Sequence, residues 1–171
     1  MSNKRLYNLS DNEITDAKSL SRSFYRSAVE YFVAYTVLTV NPVVNFEGVA
    51  THIILPPFTN GAFACELFLK SLYYHYEDKE VKKMRREHDL LKLFNILPAA
   101  ARTSIVDYVS NKTEQIYNYT NFTDHLRVIS KTFVESRYAC ERIESAFYEG
   151  LLCCLCDALY QECTKIHAIL D

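Results

Sequence analysis

Apolar and aromatic positions recur along this chain at helical spacing. Ile14, Ala17, Leu20, Phe24, Ala28, Phe32, Tyr35 and Leu38 follow one another at intervals of three or four residues. That period predicts one long amphipathic helix. Ser10-Asp-Asn-Glu13 has the spacing of a capping box, with Ser10 as N-cap, and Pro42 sets the end at Asn41. Residues 41–59 hold three of the four prolines and Gly48, and are expected to form an irregular connection with a short extended piece at His52–Leu55. A second helix is predicted from Thr59-Asn60, with Asn60 as cap, through Cys65, Leu69 and Leu72 to Tyr76. A charged turn from Glu77 to Glu87 follows. His88-Asp-Leu-Leu-Lys-Leu-Phe94 then reads as a short helix, and Pro98 opens another that carries Ile105, Val106 and Val109. Another long helix is predicted from near Thr123, where Phe122 would staple against Leu126 or the stem of Arg127. Its stripe is Leu126, Ile129, Phe133, Cys140, Ile143 and Phe147. Gly150 marks a break or a close backbone approach, and the last helix carries Leu152, Leu155, Leu159, Ile166 and Leu170.

Composition agrees with this pattern. Three glycines and four prolines in 171 residues are too few for the many turns of an all-β fold. Hydrophobic residues are 49% and charged residues 23%, which is an ordinary globular balance. The expectation is one all-α domain over residues 1–171, a four- to five-helix up-and-down bundle.

Charge narrows the partners. The formal net charge is −2 with no basic half, which disfavours wide non-specific binding to nucleic acid. Lys79, Lys82, Lys83, Arg85 and Arg86 cluster, but acidic residues are interleaved with them, so the segment reads as a solvated helix end or loop. The first twenty residues are polar and charged, and no apolar run approaches a membrane span. A cytoplasmic protein is expected, with no membrane partner and its six cysteines reduced.

Candidate chemistry sits at few positions. Glu66 and Lys70 are four apart on one helix, and Glu66 lies in the apolar run Phe63-Ala-Cys-Glu-Leu-Phe-Leu69. A carboxylate in that setting is expected to be partly buried and to need a partner. Arg137, beside the apolar face of its helix, is the expected partner of Glu66 or Asp89 through a bidentate contact. Asp89 is placed to cap the short helix, and His88 next to it is a ligand, an acid–base group or a packed polar residue. Cys153, Cys156, Tyr160, Cys163 and His167 form a stripe on the last helix. Cys163 and His167 would suit zinc, but no second ligand pair is evident, so the stripe reads as core or interface. There is no Gly-rich phosphate loop, pair of metal carboxylates or nucleophile elbow, and no cofactor is expected.

The segments Gly61-Ala-Phe-Ala-Cys-Glu-Leu-Phe-Leu-Lys70 and His88-Asp-Leu-Leu-Lys-Leu-Phe94, with the later Phe133-Val-Glu-Ser-Arg-Tyr-Ala-Cys-Glu141, resemble motifs of the HEPN superfamily. The resemblance implies a helical bundle, often a homodimer, in RNA cleavage, toxin–antitoxin pairs or phage defence. It picks out Glu66, Lys70, His88, Asp89, Arg137, Tyr138 and Glu141 as the polar positions. Catalytic members carry Arg-x(4–6)-His, and no arginine here has a histidine at that distance. The expected function is therefore a non-catalytic binding and assembly module that dimerises and recognises RNA, a nucleotide or a protein. The alternative is a divergent metal-independent ribonuclease using His88 and Arg137.

Overall fold

The computed structural model describes residues 16–77, 84, 86–113, 119–137 and 149–167. Among these the chain is mostly helical. The elements are α1 (Ala17–Val40), β1 (Val43–Phe46), β2 (Val49–His52), α2 (Leu55–Tyr76), α3 (Leu90–Asn95), α4 (Ala99–Thr113), α5 (Tyr119–Arg137) and α6 (Glu149–His167).

α1 begins at Ala17 because the Asp16 carboxylate accepts the Ser19 N–H at 2.7 Å and satisfies one of the helix's orphan donors. The predicted cap Ser10 lies outside the described residues. The helix ends as expected at Asn41, whose N–H returns to the Val37 carbonyl before Pro42.

The expectation of an irregular connection after Pro42 is corrected. β1 and β2 form an antiparallel hairpin in the register Val43↔His52, Val44↔Thr51, Asn45↔Ala50 and Phe46↔Val49. Glu47 and Gly48 make the two-residue turn, with φ of 49° and 82°, the conformation that matches the twist of the flanking strands. Glycine adopts it without steric cost, and the Gly48 N–H donates to Asn45 Oδ1 at 2.9 Å. Every residue of both strands is exposed.

α2 starts at Leu55, earlier than the predicted Thr59-Asn60. Prolines 56 and 57 fit its first turn, where a missing N–H leaves no bond unmade. Asn60 is not the cap; its side chain donates back to the Pro56 carbonyl at 2.9 Å. From Gly61 to Tyr74 nearly every residue is buried, which makes α2 the central helix. α1 runs antiparallel to it, since Ser21 meets Ser71 at one end and Tyr35 meets Gly61 at the other. α6 runs parallel to it, through Gly61–Cys156, Phe68–Cys163 and Ser71–His167. Gly61 marks the closest approach: a Cβ there would sit 3.0 Å from Leu152 Cδ2 and 3.1 Å from Tyr35 Cδ2.

α5 starts at Tyr119 rather than near Thr123, and Phe122 does not staple locally but packs on Phe94 of α3, with ring centroids 5.1 Å apart. Residues 138–148, including the predicted Cys140, Ile143 and Phe147, lie outside the described residues. Gly150 is not a close approach: it lies at the start of α6 with open space beside it, and the residues before Glu149, where a break would show, lie outside the described residues. Among the described residues no helix is long and apolar enough to cross a membrane.

Candidate functional site

Glu66 lies mid-way along α2, where the apolar run around it is core. It is 1% exposed. Lys70, one turn later, is 2% exposed, and its Nζ donates to Glu66 Oε1 at 2.8 Å. The same oxygen accepts from His88 Nδ1 at 3.0 Å. The predicted need for a partner is thus met twice, once along the helix and once across to the turn before α3. The Lys70 ammonium also sits 5.8 Å from the centre of the Phe24 ring.

The turn that presents His88 is fixed by its own polar groups. Glu87 Oε1 accepts the N–H groups of His88 and Asp89, each at 3.0 Å. These bonds to the charged form hold the Glu87 carboxyl below its usual range. Asp89 caps α3 as predicted, accepting from Leu91 N at 2.9 Å and Lys92 N at 3.3 Å. Ser130 of α5 accepts the Leu90 N–H at 3.0 Å. Side-chain oxygens of Glu87, Asp89 and Ser130 therefore hold every backbone N–H from His88 to Lys92, and the imidazole has a defined origin.

The Arg137 member of the predicted set Glu66–Arg137–Asp89 lies outside what is described. Asp89 caps α3, and among the described residues the partners of Glu66 are Lys70 and His88. Arg137 is the last residue of α5, and its side chain lies outside what is described, as do Tyr138 and Glu141. Of the basic cluster only Arg86 is described, and it is exposed.

A carboxylate accepts and does not donate, so His88 Nδ1 is the donor and Nε2 is left as the outward atom. The His88 side chain is 61% exposed, and Nε2 has no hydrogen-bond partner among the described residues. A buried carboxylate thus orients an imidazole whose other nitrogen faces solvent. That arrangement can present a hydrogen-bonding group to a ligand, or move a proton at Nε2.

Cys163 and His167 do not converge on a metal position. The Cys163 thiol donates to the Phe68 carbonyl at 3.5 Å, and burial pushes its pKa well above the usual thiol range. A metal ligand must be a thiolate, which this burial disfavours. Among the described residues no group of three His, Cys, Asp or Glu side chains could hold a metal ion. His167 belongs instead to a clasp that helical spacing does not reveal. Ser21 Oγ donates to the Ser71 carbonyl and Ser71 Oγ to the Ser21 carbonyl, each at 2.8 Å, tying α1 to α2. Both hydroxyl protons are thereby used, so His167 Nε2 is the donor to Ser71 Oγ at 3.0 Å. The spacing is that of a nucleophile and its base, but the proton runs the other way and Ser71 is fully buried. Tyr25 stacks on the His167 ring with centroids 4.6 Å apart. No periodicity signals this clasp, because its members come from three helices.

Comparison with family models, with curated proteins and with solved structures finds no match to this chain.

Proposed function

We propose that the chain is a non-catalytic, HEPN-like bundle that serves in the cytoplasm as a binding and assembly module, with the outward edge of His88 as its ligand contact. The observation that supports this reading is the Lys70–Glu66–His88 chain. Its carboxylate is already matched by an ammonium inside the core, so it serves to hold the imidazole in place. Arg86 and Lys92 flank His88 with exposed side chains, Lys92 lying 3.5 Å from Glu87 Oε2, and a phosphate of a nucleotide or RNA would compete with that carboxylate for the Lys92 ammonium.

The test is binding of a fluorescent single-stranded RNA and of a labelled nucleoside triphosphate, followed by anisotropy, for wild type and His88→Gln. Binding that weakens about tenfold in the variant, with unchanged circular dichroism, supports the reading. Equal binding by both proteins, or none by either, removes the ligand assignment.

A second reading is favoured by the same geometry. A buried carboxylate on Nδ1 is how an imidazole is oriented for general acid–base work. In a divergent metal-independent ribonuclease, His88 would move the proton and Arg137 would stabilise the developing phosphorane charge. RNA cleavage by the purified protein that His88→Gln abolishes would establish this reading in place of the first.

A further inference from the structure

Among the described residues, the densest concentration of exposed apolar side chains lies on the second half of α1 and the hairpin. Val33, Val37 and Val40 recur at intervals of four and three along α1, and they are 54%, 54% and 73% exposed. They form a stripe turned away from the core. β-branched residues lose rotamer freedom in a helix, so local propensity does not explain three of them on a solvent face. On the hairpin, the register places Val44, Phe46, Val49 and Thr51 on one face. Phe46 and Val49 pair across the strands beside the turn, 66% and 63% exposed. A lone two-stranded hairpin is marginal in water, and both of its strands are edges.

The charge pattern says what covers this face. From Tyr31 to Cys65 the sole Asp, Glu, Lys or Arg is Glu47, where the chain-wide share of 23% would give about eight. A surface whose one charge is the Glu47 carboxylate at the hairpin turn repels a phosphate backbone or an acidic peptide and offers a basic one a single contact. It also has no Lys or Arg to meet anionic lipid headgroups, which surface-lying membrane segments use. A two-fold contact sets the same patch against itself, so a heavily charged patch repels itself and a nearly uncharged one does not. The face offers both a projection and a recess. Phe46 projects near the hairpin tip, and a groove lined, apart from Thr39, by Leu38, Pro42, Ile53, Ile54, Pro57 and Phe58 lies at its base. The exposed surface of the stripe, Val44, Phe46, Val49 and Ile54 is on the order of 700 Å², close to the about 800 Å² that each partner gives a standard interface. The largest patch on an ordinary monomer is about 300–600 Å².

We propose that this face is the contact between two copies of the chain, with the α1 stripes and hairpins meeting across a two-fold axis. The inference rests on the assembly-module reading and names its surface. His88 sits at the junction of α2 and α3 and takes no part in it.

The experiment is sedimentation equilibrium of the full chain from about 2 to 200 μM, with light scattering as a check. A species of twice the 19.9 kDa chain mass is expected. Val37→Lys/Phe46→Lys places like charges on both sides of the axis and is expected to raise the dimer dissociation constant at least about 100-fold, with unchanged circular dichroism. Ile96→Lys, an exposed apolar site at the end of α3, is expected to leave the dimer intact. A wild-type monomer throughout the range would overturn the proposal, as would a dimer indifferent to the double lysine variant. Sedimentation of a wild-type monomer with neutral phosphatidylcholine vesicles, lost in Phe46→Lys, would overturn it in favour of a lipid surface. His88→Gln is expected to dimerise normally, so a failure of the ligand reading and a failure of this interface are separately visible.

Discussion

Removing the Lys70 ammonium is the sharpest perturbation of the buried ion pair. In Lys70→Met the volume is nearly kept, and among the described residues the Glu66 carboxylate, 1% exposed, retains only the His88 bond. Breaking one side of a buried pair costs about 3–5 kcal/mol, because the remaining charge keeps its desolvation penalty and loses its partner. For a chain of this length each kcal/mol moves the midpoint by roughly 2–4 °C, so the expected loss is roughly 6–20 °C. Glu66→Gln removes the carboxylate that the ammonium donates to and is expected to destabilise in the same direction. The double variant Glu66→Leu/Lys70→Met removes both desolvation penalties and is expected to melt at or above the wild type. Thermal unfolding followed by circular dichroism at pH 7.5, in about 0.05 and 0.5 M salt, closes the cycle. The single-variant losses are expected to persist in high salt, because buried pairs are screened much less than exposed ones. A Lys70→Met protein that melts within about 2 °C of wild type would refute the reasoning, and so would a double variant as unstable as the two singles combined.

Three further outcomes follow from the packing and the titrating groups. Gly61→Ala is expected to destabilise by about 1 kcal/mol in urea unfolding, since its Cβ would press on Leu152 and Tyr35 by more than the helix propensity it gains, whereas Gly150→Ala, with open space beside it, is expected to stabilise by about 0.5–1 kcal/mol. Burial first, then neighbouring positive charge, lowers the pKa values of His75 and His167 below the ordinary 6.5. The unfolded chain therefore takes up these protons first, so the contribution is whole above about pH 6.5 and is lost as pH falls from there through the folded values. Urea midpoints at pH 7.5, 6.5 and 5.5 are expected to drop, and His167→Gln to flatten the dependence. Cys65, Cys156 and Cys163 are buried and Cys153 is exposed. Mapped thiol labelling is expected to modify Cys153 in the native protein and the three buried residues only after unfolding in guanidinium.

What was legible in the sequence was what local chemistry decides. The end of α1 at Asn41, the Asp89 cap and the opening of α4 after Pro98 each depend on residues within one turn. The i,i+4 geometry of Glu66 and Lys70 is a helix property and was readable for the same reason. The hairpin escaped because its strands face water on both sides, so burial leaves no alternation to find. Its cue was Glu47-Gly48 between two β-branched runs. Pro56 and Pro57 read as breakers although the first turn of a helix accommodates them. The link from Glu66 to His88 spans 22 residues and depends on how α3 docks against α2 and α5. Counting helical faces gave Arg137 a direction without a distance, and it gave Cys163 and His167 a shared stripe. Their actual partners, the Phe68 carbonyl and the Ser21–Ser71 clasp, belong to other helices.

The buried pair is poorly explained by stability. Glu66 and Lys70 lie on the same helix, so their bond carries no information about how helices dock, and two apolar residues would fill the space at less cost. The bond that crosses elements is the second one accepted by the same oxygen, from His88. Lys70 then has a definite role, since it neutralises a carboxylate that must stay in the core to reach the imidazole at the surface. On that account stability and placement of His88 separate in one variant. Glu66→Leu/Lys70→Met should gain or keep its melting temperature while the His88 ring loses its anchor, and ligand binding should fall as far as it does in His88→Gln. Glu87, Asp89 and Ser130 would still hold the backbone of that turn. The loss would therefore lie in the orientation of one side chain, which is what an imidazole set by a buried carboxylate is built to supply.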